Sequence, residues 1–133
     1  MSFIGARVAL KASNGKYLSI DDGGELKLKD CSDDFGPEIT FFVPLAVDKV
    51  FVQTHTREYV SLKDTGELEL IPNSNTIGHT EAFDFICIGA NRVAIKGHTG
   101  KYLGLHETQN DLLRAVSDDI GAEQTFEVIP VFR

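Results

Sequence analysis

Apolar and polar residues alternate along most of the chain, in short runs that glycine-containing turns separate. A period of two residues is typical of a β-strand with one buried face, because an amphipathic helix spaces its apolar residues three or four apart. Segments 7–11 and 17–20 follow this pattern, and Asn14-Gly15 between them favours a tight hairpin turn. The pattern therefore predicts an all-β chain built from short strands and hairpins.

The alternating pattern occurs three times, at offsets of 42 and then 43 residues. Four sets of equivalent positions define the repeat: Val8, Val50 and Val93; Tyr17, Tyr59 and Tyr102; Phe35, Ile77 and Ile120; Phe41, Phe83 and Phe126. A fixed period indicates that each unit forms the same supersecondary structure, and a unit this short cannot bury a core by itself. We therefore predict a single domain over residues 1–133, with repeats at 7–48, 49–90 and 91–133.

Each repeat contains four predicted strands, which gives twelve in total. An all-β domain has to pair or cover its strand edges, and a closed barrel removes them. Threefold repetition of a four-stranded unit predicts a β-trefoil, in which the first and fourth strands form a six-stranded barrel and the middle hairpins cap one end. Asp111 departs from the pattern because it falls where Leu26 and Leu68 point inward. We favour a β-bulge that turns Asp111 outward over a functional irregularity.

Composition and charge restrict the function classes. The net charge is −7 at pH 7, which argues against generic binding to nucleic acid or to an anionic membrane. No apolar run reaches the ~18 to 20 residues of a membrane helix, no signal peptide is recognised, and Ser2 replaces the glycine required for N-myristoylation. We expect a cytoplasmic protein without a membrane anchor, in which Cys31 and Cys87 are reduced thiols.

Two repeats open with a nearly identical motif. Val-Ala-Leu-Lys leads into Gly-Lys-Tyr-Leu within residues 8–18, and Val-Ala-Ile-Lys leads into Gly-Lys-Tyr-Leu within residues 93–103. These segments resemble the fascin-like β-trefoil family of fascin, hisactophilin and the FRG-type nuclear proteins, and the resemblance extends over residues 7–131. It implies a non-enzymatic protein of the cytoplasm or cell cortex that binds or bundles filamentous actin.

Basic residues concentrate at the start of each repeat. Eight of the thirteen lie on the first strand and first hairpin of the three units. Threefold symmetry would gather them on one less acidic surface, which attracts a negative partner within a Debye length of ~8 to 10 Å. A purely solubilising role for these lysines also fits the pattern. The predicted partner-binding residues are Lys11, Lys16, Lys96 and Lys101.

No catalytic, cofactor-binding or metal-binding motif is recognised in the sequence. His55 and His98 occupy equivalent repeat positions, so we expect two exposed turn histidines that lie far apart and do not form a metal pair. The three equivalent tyrosines are expected to pack within the hairpins in preference to forming a sugar-stacking platform. We expect no enzyme activity, no metal and no cofactor.

Two further functions remain open for a trefoil of this kind. The first is a carbohydrate-binding lectin, although the chain lacks tryptophan and hence the Gln-x-Trp repeat of ricin-type lectins. The second is a scaffold in a nuclear RNA-processing assembly, which the FRG-type resemblance allows. Direct binding of nucleic acid is not expected in either case.

Overall fold

The computed structural model describes residues 6–21, 23–30, 36, 41–43, 50–71, 78–109 and 111–131. Within these ranges the chain is all-β, with short 3₁₀ helices at His79–Glu81 and Ala122–Gln124. The strands are β1 (Ala6–Lys11), β2 (Tyr17–Ile20), β3 (Leu26–Lys29), β4 (Phe41–Val43), β5 (Tyr59–Leu62), β6 (Leu68–Ile71), β7 (Asp84–Gly89), β8 (Arg92–Lys96), β9 (Tyr102–Leu105), β10 (Leu113–Ser117) and β11 (Phe126–Pro130).

Nine of these strands form one nearly closed, barrel-like sheet. Its order is β10-β9-β8-β11-β1-β2-β3, with β4 paired to β1 and β7 paired to β8. β5 and β6 form a separate hairpin. All pairs are antiparallel, as expected for strands that are joined by short turns.

The described residues contain eleven strands and not the twelve that were predicted. The missing strand is the first of the second repeat, at 50–53. Val50 bridges Phe83 and Gln53 bridges Tyr59, so the segment pairs with two different partners three residues apart and has no continuous ladder. Its pairing with the second strand of its own repeat is nevertheless equivalent to that of β1 and β8, which are the first strands of the other repeats.

The middle hairpins of the three repeats meet one another. The amide of Leu28 donates to the carbonyl of Asp111 at 2.6 Å, and the amide of Ala115 donates to the carbonyl of Gly66 at 2.8 Å. Asp111 itself lies in the turn before β10 and is half-buried. The bulge predicted at Asp111 is therefore misplaced, because the strand starts later and its ladder with β9 shifts between Ala115 and Ser117.

One continuous apolar core joins the three repeats. The equivalent residues Phe41, Phe83 and Phe126 are each no more than 3% exposed. Apolar residues of the barrel strands and of all three middle hairpins belong to the same cluster. Each such buried side chain contributes about 1.5 to 3 kcal/mol, so the repeats depend on one another for stability.

Cys87 is an exposed free thiol on β7, and Cys31 lies outside the described residues. In the part of the chain that the structure describes, neither 3₁₀ helix has the length or apolar character required to cross a bilayer.

Candidate functional site

A row of three charged residues crosses the strands β1, β11 and β8. The strand register places Lys11 opposite Glu127, and it places Glu127 opposite Arg92. Directly opposed residues of antiparallel strands project from the same face of a sheet. Glu127 and Arg92 are exposed and Lys11 is half-buried, so the sheet presents a carboxylate between two cations.

An open cleft of about 380 Å³ lies at this row, within the ~300 to 1,000 Å³ that is usual for small-molecule sites. It is formed by the end of β1 and its hairpin, the start of β8, and the chain around the second 3₁₀ helix. We call it the Lys11–Arg92 cleft. Its lining residues are Lys11, Ala12, Ser13, Gly15, Arg92, Ala122, Thr125 and Glu127.

Small residues in the first hairpin keep one side of the cleft open. Gly15 adopts a φ of 84°, a left-handed conformation that glycine reaches without strain. The turn is closed by hydrogen bonds from the Gly15 amide to the Ala12 carbonyl at 3.0 Å and from the Ala12 amide to the Lys16 carbonyl at 2.8 Å. As a result, Ser13 and Gly15 are exposed toward the cleft.

The opposite side of the cleft is fixed by hydrogen bonds around the second 3₁₀ helix. The Gly121 amide donates to Oε1 of Gln124 at 2.8 Å, and the Thr125 hydroxyl donates to the Gly121 carbonyl at 3.1 Å. Thr125 thereby holds its side chain in one orientation beside Glu127. Both walls of the cleft are therefore ordered by local hydrogen bonds before any ligand binds.

The charges of the cleft are available to a ligand. Among the residues that the structure describes, no ion pair within 4.0 Å involves Lys11, Arg92 or Glu127. Nζ of Lys11 lies 5.8 Å from the centre of the Tyr17 ring, a cation–π distance that restrains the lysine side chain. The site combines two cationic donors, one carboxylate acceptor and two hydroxyls, which suits a polar ligand with several hydrogen-bonding groups.

The structure brings only one of the four predicted lysines into the cleft. Lys96 takes the position equivalent to Lys11 in the third repeat, with Nζ 5.8 Å from the Tyr102 ring centre. Lys101 forms an ion pair with Asp118. Lys16 is half-buried, and its amide donates to Oδ1 of Asn14. That all four contact a partner stays a prediction.

Sequence reasoning missed Arg92 and Glu127 as site residues. Arg92 is one of the eight basic residues at the repeat starts but is not among the four selected lysines, and Glu127 lies near the end of the third repeat, away from the basic segments. The usable signal was the pairing of first and fourth strands within a barrel, which would have placed Glu127 between Lys11 and Arg92 once the register was assigned.

His98 differs from its prediction. His55 is exposed, as expected, whereas the side chain of His98 is only 12% exposed. Its Nε2 lies 3.0 Å from the Leu62 carbonyl and 3.7 Å from a carboxylate oxygen of Asp64. The neighbouring hairpin of the second repeat covers this side chain, a tertiary contact that the repeat pattern could not indicate. Among the described residues, no group of three histidine, cysteine or acidic side chains is placed to hold a metal ion.

The chain has a β-trefoil fold, as its similarity to solved structures shows. It superposes on a structure described as the BEL β-trefoil with a TM-score of 0.74 and 13% identity, covering 96% of this chain and 94% of that one. SeviL bound to asialo-GM1 saccharide gives a TM-score of 0.74 at 7% identity, with coverage of 96% and 98%.

A larger enzyme gives a similar match over part of its length. The GlcNAcα1-4Gal releasing endo-β-galactosidase from Clostridium perfringens superposes with a TM-score of 0.79 at 12% identity, and the match covers 96% of this chain but 33% of that one. This chain thus spans about a third of that enzyme. Identities this low establish the fold alone. No protein-family model matches the chain, and no curated protein matches it in sequence.

Proposed function

We propose that this protein is a non-enzymatic β-trefoil module that binds a glycan in the Lys11–Arg92 cleft. The observation that carries the proposal is the cleft itself, which is large enough for a small ligand and is lined mainly by polar and small residues. Sugar hydroxyls act as donors and acceptors at once. Glu127 accepts hydrogen bonds, and Lys11 and Arg92 donate them. The Ser13 hydroxyl does both, whereas the Thr125 hydroxyl already donates to a backbone carbonyl and acts as an acceptor.

Two of the similar structures support a glycan as the ligand. SeviL was solved with a saccharide bound, and the Clostridium perfringens enzyme is named for a reaction on a galactose-containing glycan. Because the chain spans only part of that enzyme, catalysis is not carried over to it. Galactose is, however, the sugar with which to begin the search for a ligand.

The test is a glycan array probed with the intact chain, followed by calorimetry on the best glycan and on D-galactose. The variant Glu127→Gln removes the charged acceptor, and Lys63→Gln removes an exposed cation from a turn outside the cleft. We expect Glu127→Gln to weaken binding by about tenfold or more, since a hydrogen bond to a charged group contributes ~1.5 to 3 kcal/mol. Lys63→Gln should bind like the unmodified chain. An array without hits, or equal losses in both variants, would refute a glycan site in this cleft.

Binding of filamentous actin is a second candidate. It rests on the resemblance of the repeat openings to the fascin-like family and on the matched lysine–tyrosine pairs of Lys11 with Tyr17 and Lys96 with Tyr102. Two findings make it the weaker candidate: the four lysines are half-buried and one of them is paired with Asp118. This second candidate also implies membership of the fascin-like family, the three predicted repeats and a cytoplasmic location.

Co-sedimentation with filamentous actin at low and high salt tests the second candidate. The comparison variant replaces Lys11, Lys16, Lys96 and Lys101 with glutamate. Salt-sensitive pelleting that this variant loses would support actin binding through these lysines. Absence of pelleting at low salt would refute it for this chain.

A further inference from the structure

The charges along the β1–β11–β8 row alternate in sign: Lys11 is followed by Glu127 and then by Arg92. Neighbouring strands of a sheet lie ~4.8 Å apart, so the Cα atoms of Lys11 and Arg92 are separated by roughly 10 Å across β11. Glu127 stands midway between them. A ligand that lies along this row meets a cation, an acceptor and a second cation in turn.

The two cations are not equivalent. Lys11 is half-buried and restrained over the Tyr17 ring, whereas Arg92 is exposed at the start of β8. A guanidinium group presents a planar pair of N–H donors that matches a carboxylate or a sulfate in a bidentate manner. Arg92 is therefore better suited than Lys11 to bind an acidic substituent of the sugar, and Lys11 is positioned as a second hydrogen-bond donor.

Glu127 distinguishes this arrangement from a simple anion site. A carboxylate only accepts hydrogen bonds and repels an anion placed against it. A sugar ring carries hydroxyl groups that can donate hydrogen bonds to Glu127. Acetate and inorganic sulfate have no such donors. The row therefore suits a ligand that has both hydroxyl donors and an acidic group.

We propose, building on the glycan-binding function above, that the Lys11–Arg92 cleft selects a sugar bearing a carboxylate or sulfate group. Arg92 binds the acidic group, Glu127 accepts from ring hydroxyls, and Lys11 with Thr125 completes the polar contacts. In a chain with a net charge of −7, the two cations of this cleft are what offsets the general repulsion of an anionic sugar.

The experiment compares matched ligands by calorimetry at 50 mM and 300 mM salt: D-galactose, D-galacturonic acid, galactose 6-sulfate and sodium acetate. We expect at least one acidic sugar to bind about tenfold or more tightly than galactose at low salt, with the advantage reduced at high salt. Comparing the affinities of galacturonic acid and galactose 6-sulfate shows whether the cleft prefers a carboxylate or a sulfate group. Acetate should give no measurable binding at the same concentrations.

The variants are Arg92→Gln, its charge-preserving counterpart Arg92→Lys, and Lys63→Gln as the control outside the cleft. Arg92→Gln should weaken binding of the acidic sugar more than binding of galactose, Arg92→Lys should restore part of the difference, and Lys63→Gln should change neither. Because Arg92 is exposed, these changes should leave the fold intact, which a thermal melt verifies.

Three outcomes would overturn the inference, and they are distinguishable. Equal affinities for galactose and both acidic sugars would support the glycan site but refute its selectivity for acidic sugars. Binding of acetate as strong as that of galacturonic acid would indicate an anion site without sugar recognition. No binding of any sugar, together with an empty glycan array, would refute the proposed function and this inference with it.

Discussion

Hairpins 11–16 and 96–101 are equivalent by repeat position and nearly equivalent in local structure. Each starts with a lysine stacked over a tyrosine at 5.8 Å, and each turns at a glycine with a φ of 84°. Their surroundings differ. The first hairpin lines the Lys11–Arg92 cleft, whereas the third-repeat hairpin is attached to the second repeat through His98 and Leu62.

The residues at two positions account for this difference. Ala12 and Ser13 of the first hairpin are replaced by Gly97 and His98 in the third. A Cβ on Gly97 would clash with a methyl group of Leu62, so the absence of a side chain lets the second repeat pack closely. The same hairpin geometry thus serves packing in one repeat and leaves a surface for a ligand in another.

The largest expected effect comes from filling the close contact at Gly97. Gly97→Ala should lower the free energy of unfolding by about 1 to 3 kcal/mol, because Leu62 would have to move within a packed core. The control is Ala12→Gly at the equivalent position, for which we expect a loss of roughly 0.5 to 1 kcal/mol. Urea denaturation measures both. A Gly97→Ala variant that is no less stable than Ala12→Gly would contradict the packing role of this hairpin.

The hydrogen bond of His98 is the next contrast. His98→Ala should cost about 1 kcal/mol, because the Leu62 carbonyl loses its partner in a largely buried position. Ser13→Ala at the equivalent, exposed position should change stability by less than about 0.5 kcal/mol. The same denaturation assay applies. Similar losses of stability in His98→Ala and Ser13→Ala would show that the third-repeat hairpin contributes no more to packing than the first.

The hairpin of the second repeat offers a stabilising change. Arg57 occupies the position of Gly15 and Gly100 and adopts a φ of 68°, which costs a residue with a Cβ about 1 to 2 kcal/mol. Arg57→Gly relieves this strain but increases the freedom of the unfolded chain, so we expect a net gain of about 0.5 kcal/mol. Gly100→Ala is the reverse control and should destabilise. A loss of stability in Arg57→Gly would contradict the equivalence of the three turns.

The smallest effect concerns the turn between β2 and β3. Oδ1 of Asp21 accepts from the amides of Glu25 at 2.9 Å and Gly23 at 3.0 Å. The amide of Glu25 is the main cause that holds the pKa of Asp21 below its ordinary value, with smaller contributions from Gly23 and Lys27. A depressed folded-state pKa stabilises the fold above the unfolded value of ~3.9, and this stabilisation is lost as the pH falls through the folded pKa.

Melting temperatures between pH 5 and pH 2.5 test this dependence. The unmodified chain should lose slightly more stability over that range than Asp21→Asn, which keeps an acceptor oxygen but does not titrate. The equivalent turn of the second repeat has Lys63 in place of Asp21, so Lys63→Gln should follow the unmodified chain. A steeper decline in Asp21→Asn would contradict the assigned direction.

The sequence predicted the fold more completely than the site. Alternation and the 42-residue period identify the barrel core, since Val8, Phe41 and Phe126 are buried as the pattern requires. The proximity of Glu127 and Arg92 could not be predicted from the pattern, because these residues are 35 positions apart and become neighbours only through the β8–β11 register. The covered position of His98 also depends on a long-range contact, the one with Leu62.

A ¹⁵N-resolved NMR titration with D-galactose, and separately with D-galacturonic acid, tests the central claim most directly. The expected result is a set of shift changes on Ser13, Gly15, Arg92 and Thr125 around the cleft, with the equivalent hairpin signals of His98, Thr99 and Gly100 unchanged. Changes confined to the third-repeat hairpin, or no changes with either sugar, would contradict a glycan site in the Lys11–Arg92 cleft.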